Sequence, residues 1–176
     1  SKKQHIIASN EGAAASIGIG YYLSTKKLPC IYMQNSGLSN ALNPLISVAH
    51  KKVYSIPLIL VIGWRGSPKV KDEPQHIAKG EITLKLLKLL KIKYTILRET
   101  DDLKKFDKQI KTAKKKNTIV ACLIEKGTLE KNKTIREKKD FYKLDKEFFL
   151  KNLLSLLKKN TKIISSTGYN SREIMY

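Results

Sequence analysis

The chain has 176 residues, of which 41% are hydrophobic and 28% charged, and this composition excludes a wholly disordered protein. Its longest apolar run, residues 56–64, is much shorter than the roughly 20 residues of a membrane-spanning helix. The net charge of +20 comes from 35 basic residues, only four of which are arginine, the side chain best suited to bidentate contacts with nucleic acid. We therefore interpret the charge as a lysine-rich surface and expect neither a nucleic-acid nor a membrane partner.

Short apolar runs rich in Ile, Val, Leu and Tyr recur along the chain and predict strands buried on both faces. They cover residues 5–8, 29–33, 57–63, 93–97 and 118–124, with a sixth run at 162–165. Helical patterns lie between them, at residues 12–25, 40–53, 80–90, 102–116 and 145–158. This alternation predicts an α/β fold, a doubly wound and mostly parallel sheet flanked by helices.

Two long polar segments interrupt the alternation. Residues 63–80 combine Trp, Arg, His and acidic side chains after an apolar strand, so we expect a functional loop there. Residues 125–140 are mostly charged and indicate a solvated surface. Two cysteines, Cys30 and Cys122, lie in apolar runs and indicate buried free thiols in a reducing compartment, which we take to be the cytoplasm.

Polar residues follow the first three predicted strands. Glu11 stands between the first strand and a helix of small residues, Asn35 and Ser36 follow the second strand, and Arg65 follows the third. Ligands of parallel α/β sheets bind beyond the carboxyl ends of the strands, so these residues are candidates for one site. The alternative interpretation is that the polar residues cap helices, with Glu11 as an acid that favours the positive end of the helix dipole.

Well-known catalytic signatures do not occur in the sequence. There is no GxGxxG, no GxxxxGK[ST], no HExxH and no paired-cysteine metal spacing. The polar residues at the ends of the predicted strands therefore remain the candidates for a functional site.

Three segments resemble the pyrimidine-binding domain of thiamine-diphosphate-dependent decarboxylases: NEGAAASIGIGYYL, YMQNSGLSNALNPL and IPLILVIGWRGSPKVKDEPQH. Within that superfamily the resemblance is to the phosphonopyruvate decarboxylases, with the sulfopyruvate decarboxylase alpha subunits as near relatives, and it covers about residues 5–97. It implies a carbon–carbon lyase of phosphonate biosynthesis that converts 3-phosphonopyruvate to phosphonoacetaldehyde and CO2. The alternatives are sulfopyruvate or another 2-oxo acid as substrate, and a basic α/β nucleic-acid-binding module that is not an enzyme.

The resemblance implies a role for Glu11, and the chemistry of the implied cofactor and substrate suggests roles for five further residues. Glu11 is expected to be catalytic, because the family's glutamate hydrogen-bonds the aminopyrimidine ring nitrogen of thiamine diphosphate, and Asn35 and Ser36 are expected near the same cofactor. Arg65, Gln75 and His76 are expected to bind the small anionic 2-oxo acid as their loop closes over it. The alternative for this loop is that Arg65 and Asp72 form a surface pair and the loop is merely long.

The sequence also departs from a complete enzyme of this family. It has no GDG motif, which in the family holds Mg²⁺ and the diphosphate, and it starts at the strand that a βα unit normally precedes. Residues 163–173 resemble the opening of the second, diphosphate-binding domain. We therefore expect residues 1–160 to be a pyrimidine-binding domain without its first βα unit and residues 161–176 to begin the second domain. The Mg²⁺ ligands would lie in that domain and none in this chain, and the intact enzyme would be a homo-oligomer, a dimer or tetramer.

Overall fold

The computed structural model describes residues 5–68, 70–130, 145–158 and 160–163. The contacts within it divide the chain into two compact units, Ser1–Lys131 and Asn132–Tyr176. In the described part of the second unit the chain forms a single helix. The predicted domain boundary at residue 160 remains a prediction.

The elements follow in chain order. They are α1 (Glu11–Thr25), β1 (Cys30–Gln34), a 3-10 helix (Asn35–Leu38), α2 (Leu42–Pro44), a π-helical turn (Leu45–Ala49), β2 (Ile59–Trp64), α3 (Pro74–Leu89), β3 (Lys93–Leu97), α4 (Thr100–Lys116), β4 (Val120–Glu125) and, in the second unit, α5 (Lys146–Leu156).

The four strands form one parallel sheet in the order β1-β2-β4-β3. Cys30 lies opposite Ile59, which in turn lies opposite Val120. Parallel strands with helical crossovers confirm the predicted α/β class. Among the described residues, no helix is both long and apolar enough to cross a lipid bilayer.

Side chains of alternate strand residues pack into two apolar cores, one on each face of the sheet. Leu60, Ile62 and Leu123 pack beneath α1, α3 and the helical segment between β1 and β2. Val120 and Cys122 pack on the opposite face with residues of α4. On this second face no described helix covers β1, and the side chain of Tyr32 is 75% exposed. Cys30 is exposed as well, so the prediction that both thiols are buried is wrong for this one.

The strand predicted at residues 5–8 is wrong. These residues precede α1 in non-regular conformation, and the side chains of Ile6 and Ile7 are 66% and 87% exposed. A strand requires a hydrogen-bonded neighbour, and no described strand pairs with these residues. In the sixth predicted strand, residues 162 and 163 belong to no strand, and residues 164 and 165 lie outside the described residues.

Two helices begin earlier than predicted. In the range 40–53 the structure has only α2 and the π-helical turn, from Leu42 to Ala49, and the early start is a separate 3-10 helix at Asn35–Leu38. The predicted loop of residues 63–80 is also wrong at its end, since α3 starts at Pro74, whose fixed φ suits a first helical turn. Gln75 and His76 are therefore helical residues.

Candidate active site

Glu11 is the first residue of α1 and lies half-buried beside the turn that follows β1. Asn10 starts the helix, because its Oδ1 accepts the N–H of Ala13 at 2.8 Å and satisfies one of the free donors of the first turn. This cap fixes where Glu11 leaves the helix.

The carboxylate of Glu11 rests on the backbone of Gly37. A Cβ atom at Gly37 would overlap Cγ, Cδ and Oε1 of Glu11, so only glycine leaves room for it. Asn40 Nδ2 donates a hydrogen bond to Glu11 Oε2 at 3.3 Å. The first turn of α1 and the turn after β1 thus meet at this carboxylate.

The side-chain amide of Asn35 is buried and joins three elements. Its Nδ2 donates to the carbonyl of Arg65 at 2.9 Å and to Thr83 Oγ1 at 3.0 Å, and its Oδ1 accepts the N–H of Arg65 at 3.1 Å. The amide hydrogens of Asn35 are therefore used within the protein. This network links the ends of β1 and β2 to α3.

Ser36 lines a small cavity between the 3-10 helix and α3. Its hydroxyl donates to Gln34 Oε1 at 2.7 Å. The cavity has a volume of about 70 Å³, far below the roughly 300–1,000 Å³ of a typical cofactor pocket. It is lined by Asn35, Ser36, Leu38, Ser39, Lys79, Ile82, Thr83 and Leu86. A ring the size of a pyrimidine does not fit this cavity.

Arg65 and Asp72 form an ion pair at the end of β2. Arg65 donates to the two carboxylate oxygens through Nε, at 2.7 Å, and Nη2. The Asp72 carboxylate also accepts the N–H groups of Gly66 and Glu73, and its side chain is only 3% exposed. The guanidinium hydrogen bonds and these backbone donors hold the pKa of Asp72 well below its usual range. The alternative pairing considered for this segment is thus present, with the carboxylate buried rather than at the surface.

Helix α3 crosses directly over this turn. Trp64, itself buried, donates through Nε1 to the carbonyl of Gly80 at 3.0 Å. A Cβ on Gly80 would overlap the backbone of Gly66, and a Cβ on Gly66 would overlap the carbonyl of His76. These close approaches bring the first turn of α3, with exposed Gln75 and half-buried His76, against the Arg65–Gly66 turn.

The structure thus arranges the six candidate residues in two adjoining groups. Glu11, Asn35 and Ser36 surround the end of β1, while Arg65, Gln75 and His76 belong to the end of β2 and the start of α3. Sequence reasoning missed Gly37 and Asn40 as neighbours of Glu11, and Thr83 and Trp64 as links to α3. Gly37 and Asn40 lie within the YMQNSGLSNALNPL segment, but nothing in their spacing indicates which side chain they contact.

The Glu11 carboxylate of the first group is a hydrogen-bond acceptor available to a ligand. A carboxylate at an open strand edge, with Oε1 in no hydrogen bond to a described residue, can bind a protonated ring nitrogen of a heterocycle. The described ranges contain no cluster of three or more His, Cys, Asp or Glu side chains placed to hold a metal ion.

Comparison with known proteins identifies relatives of this region. Residues 1–87 match the family of the thiamine pyrophosphate enzyme N-terminal TPP binding domain. Phosphonopyruvate decarboxylases from Streptomyces viridochromogenes and Streptomyces hygroscopicus are 39% and 38% identical over 99 residues, which are 56% of this chain and 24% of each of theirs. Sulfopyruvate decarboxylase subunit alpha from Methanococcus maripaludis is 40% identical over 91 residues, 52% of each chain. The matched region thus spans about a quarter of the first two proteins and about half of the third.

Proposed function

Since residues 1–87 belong to the N-terminal, cofactor-binding domain family of the thiamine pyrophosphate enzymes, we propose that this chain supplies the pyrimidine-binding part of a 2-oxo acid decarboxylase. The observation that carries the proposal is the carboxylate of Glu11, fixed at the carboxyl edge of a parallel sheet by Gly37 and Asn40. Ligands of such sheets bind at that edge.

Glu11 would bind the aminopyrimidine ring nitrogen of thiamine diphosphate and hold a proton between that nitrogen and its own carboxylate. When bound, thiamine diphosphate supplies an electron sink for the electron pair that CO2 leaves behind. Ser36 precedes Gly37, the residue on which the Glu11 carboxylate rests, and would contact the cofactor. Asn35, although its amide is used internally, would hold the turns of the site in register.

The substrate would be bound by the second group. A 2-oxo acid that carries a phosphonate is a small, strongly anionic molecule, and it requires cations and donors. Arg65 offers its Nη1 edge, because Nε and Nη2 are engaged by Asp72, and the first turn of α3 adds Gln75 and His76. We infer 3-phosphonopyruvate as the substrate, with phosphonoacetaldehyde and CO2 as the products of a reaction that consumes one proton.

The diphosphate end of the cofactor would be held elsewhere. Mg²⁺ and the diphosphate need ligands that a second domain would contribute, and if that domain belongs to another subunit the working enzyme is an oligomer. The half-exposed position of Glu11 supports this arrangement, since a second surface would be needed to enclose the cofactor against it.

The test is Glu11→Gln in the complete decarboxylase. Gln keeps the size of the side chain but cannot share a proton, so turnover should fall about 10²- to 10⁴-fold while thiamine diphosphate affinity changes far less. Steady-state kinetics and cofactor titration measure the two quantities. A variant with near-normal turnover would reduce Glu11 to a helix-start acid and overturn the proposal.

Substrate choice requires a separate measurement. The wild-type enzyme should release CO2 from phosphonopyruvate with a higher kcat/KM than from sulfopyruvate. A preference for sulfopyruvate would leave the proposed decarboxylation standing but would overturn phosphonopyruvate as the substrate.

A further inference from the structure

The geometry points to Asn40 as the positioning residue of Glu11, with Gly37 as the surface on which the carboxylate rests; this inference depends on the proposed function of Glu11. Neither residue is needed to explain the fold of α1, which Asn10 already caps. Their joint contact with one carboxylate requires its own explanation.

A single tight turn carries both residues. The N–H groups of Asn40 and Ala41 donate to the carbonyl of Gly37, at 3.0 and 3.1 Å. Gly37 is buried within this turn. The donor and the supporting surface are therefore fixed relative to each other before any ligand arrives.

The same turn approaches α1 closely, and glycines stand on both sides of the approach. A Cβ on Gly12 would lie 3.1 Å from the carbonyl oxygen of Asn40, and a Cβ on Gly37 would overlap the carboxylate of Glu11. The side chain of Glu11 is confined between Gly37 and the Asn40 amide, which restricts the directions in which its carboxylate can point.

Asn40 is chemically suited to this task. Its amide donates to Oε2 and leaves Oε1 for a ligand, and it carries no charge. A lysine or arginine in its place would form an ion pair and compete with a ligand for the carboxylate. Although the chain has a net charge of +20, Glu11 is in no ion pair with a described residue. The hydrogen bond is exposed here, and it would strengthen once a second surface excludes water.

The contact is tested first in the 176-residue chain without cofactor. In an NMR spectrum the side-chain amide signals of Asn40 should shift when Glu11 is changed to Gln, because the acceptor loses its charge. Asn43 is the matched control: its exposed amide accepts from Ser47, so its signals should stay in place. Unmoved Asn40 signals would overturn the inference, whatever the chemistry of the enzyme.

The positioning role is tested in the complete decarboxylase. Asn40→Ala should lower kcat about 10- to 100-fold, the scale of a lost hydrogen bond to a charged group, and leave the thiamine diphosphate affinity and the substrate KM nearly unchanged. Asn40→Ser, which keeps a donor, should recover part of the loss, and Asn43→Ala should have no effect.

A double variant separates this inference from the proposed function. In the Glu11→Gln background, Asn40→Ala should cost less than about threefold more, because residues that act through one another are not additive. Equal losses in both backgrounds would overturn the positioning role and leave the proposed function standing. A Glu11→Gln enzyme of normal turnover would instead overturn the proposed function itself.

Discussion

At the scale of single residues, Asp72 organises the turn that follows β2. Its carboxylate accepts from the guanidinium of Arg65 and from the backbone of Gly66 and Glu73. These donors lower the pKa of Asp72 in the folded state. The charged carboxylate therefore makes its full contribution to the free energy of unfolding at pH values above about 4, the ordinary pKa of an aspartate. It is lost as the pH falls from there through the lowered folded-state pKa.

Asp72→Asn should lower the free energy of unfolding by about 1.5–3 kcal/mol at pH 7, the scale of lost hydrogen bonds to a charged group. The difference between the two proteins should shrink steadily below about pH 4. Denaturant unfolding at several pH values measures it. Asp107→Asn is the control, because Asp107 pairs with Lys111 in a solvated position and should cost less than about 1 kcal/mol. A pH-independent difference would contradict the assigned role.

Arg65 and His76 should reveal themselves in the substrate KM. Arg65→Ala and His76→Ala are each expected to raise the KM for phosphonopyruvate, by about tenfold or more for the cation, and to leave thiamine diphosphate affinity nearly unchanged. Arg65→Ala also releases Asp72, so Asp72→Asn serves as its comparison. Equal KM values for these two variants would assign Arg65 to the turn alone, and unchanged kinetics in the Arg65 and His76 variants would remove both residues from the substrate site.

At the scale of elements, the passage of α3 over the end of β2 depends on paired glycines. Gly66 has a φ of +67°, a left-handed conformation that glycine adopts without strain, and Gly80 packs on its backbone. The indole of Trp64 anchors the helix at the carbonyl of Gly80. The first turns of α3 therefore sit against the turn that carries Arg65.

Gly80→Ala should destabilise the protein, although alanine favours helices by up to about 1 kcal/mol. Its Cβ would overlap a backbone atom of Gly66, which cannot rotate away, and such overpacking costs about 1–3 kcal/mol. Gly20→Ala is a matched control in α1, where no atom lies within 4 Å of the added methyl group, and it should be neutral or stabilising. Thermal unfolding compares the two, and a stable Gly80→Ala protein would mean that the helix is free to shift.

The same elements explain what the sequence could and could not predict. Continuous apolar runs predicted β1 to β4 correctly, because strands buried on both faces need such runs. Residues 5–8 are also mostly apolar but form no strand, because no described strand forms hydrogen bonds with them. The first turns of α3 lack an apolar repeat and are held by Gly66 and Trp64, which are distant in sequence. Glu11 was selected because it follows residues 5–8, although these form no strand, and its contacts with Gly37 and Asn40 were not predicted because these residues are distant in sequence.

At the scale of the whole molecule, the candidate site is open. Glu11 is half-exposed, and the small cavity beside Ser36 does not hold a cofactor ring. The isolated 176-residue chain should therefore release no CO2 from phosphonopyruvate when supplied with thiamine diphosphate and Mg²⁺. A coupled assay for phosphonoacetaldehyde measures this, with the complete enzyme as the positive control. Robust cofactor-dependent turnover by the chain alone would contradict the proposed division of the site.

The position of β1 at the edge of the sheet affects how the protein behaves in solution. Within the described residues it pairs on one side only, with β2, and its five residues carry no charge. An edge strand of this kind is a template for intermolecular β-pairing, and charged side chains that usually prevent such pairing are missing from it. Repulsion between chains of +20 charge opposes that encounter, and salt weakens the repulsion. The free chain therefore stays in solution because its lysine-rich surface makes the molecules repel each other. High ionic strength or lysine acetylation would weaken this repulsion and allow aggregation through β1.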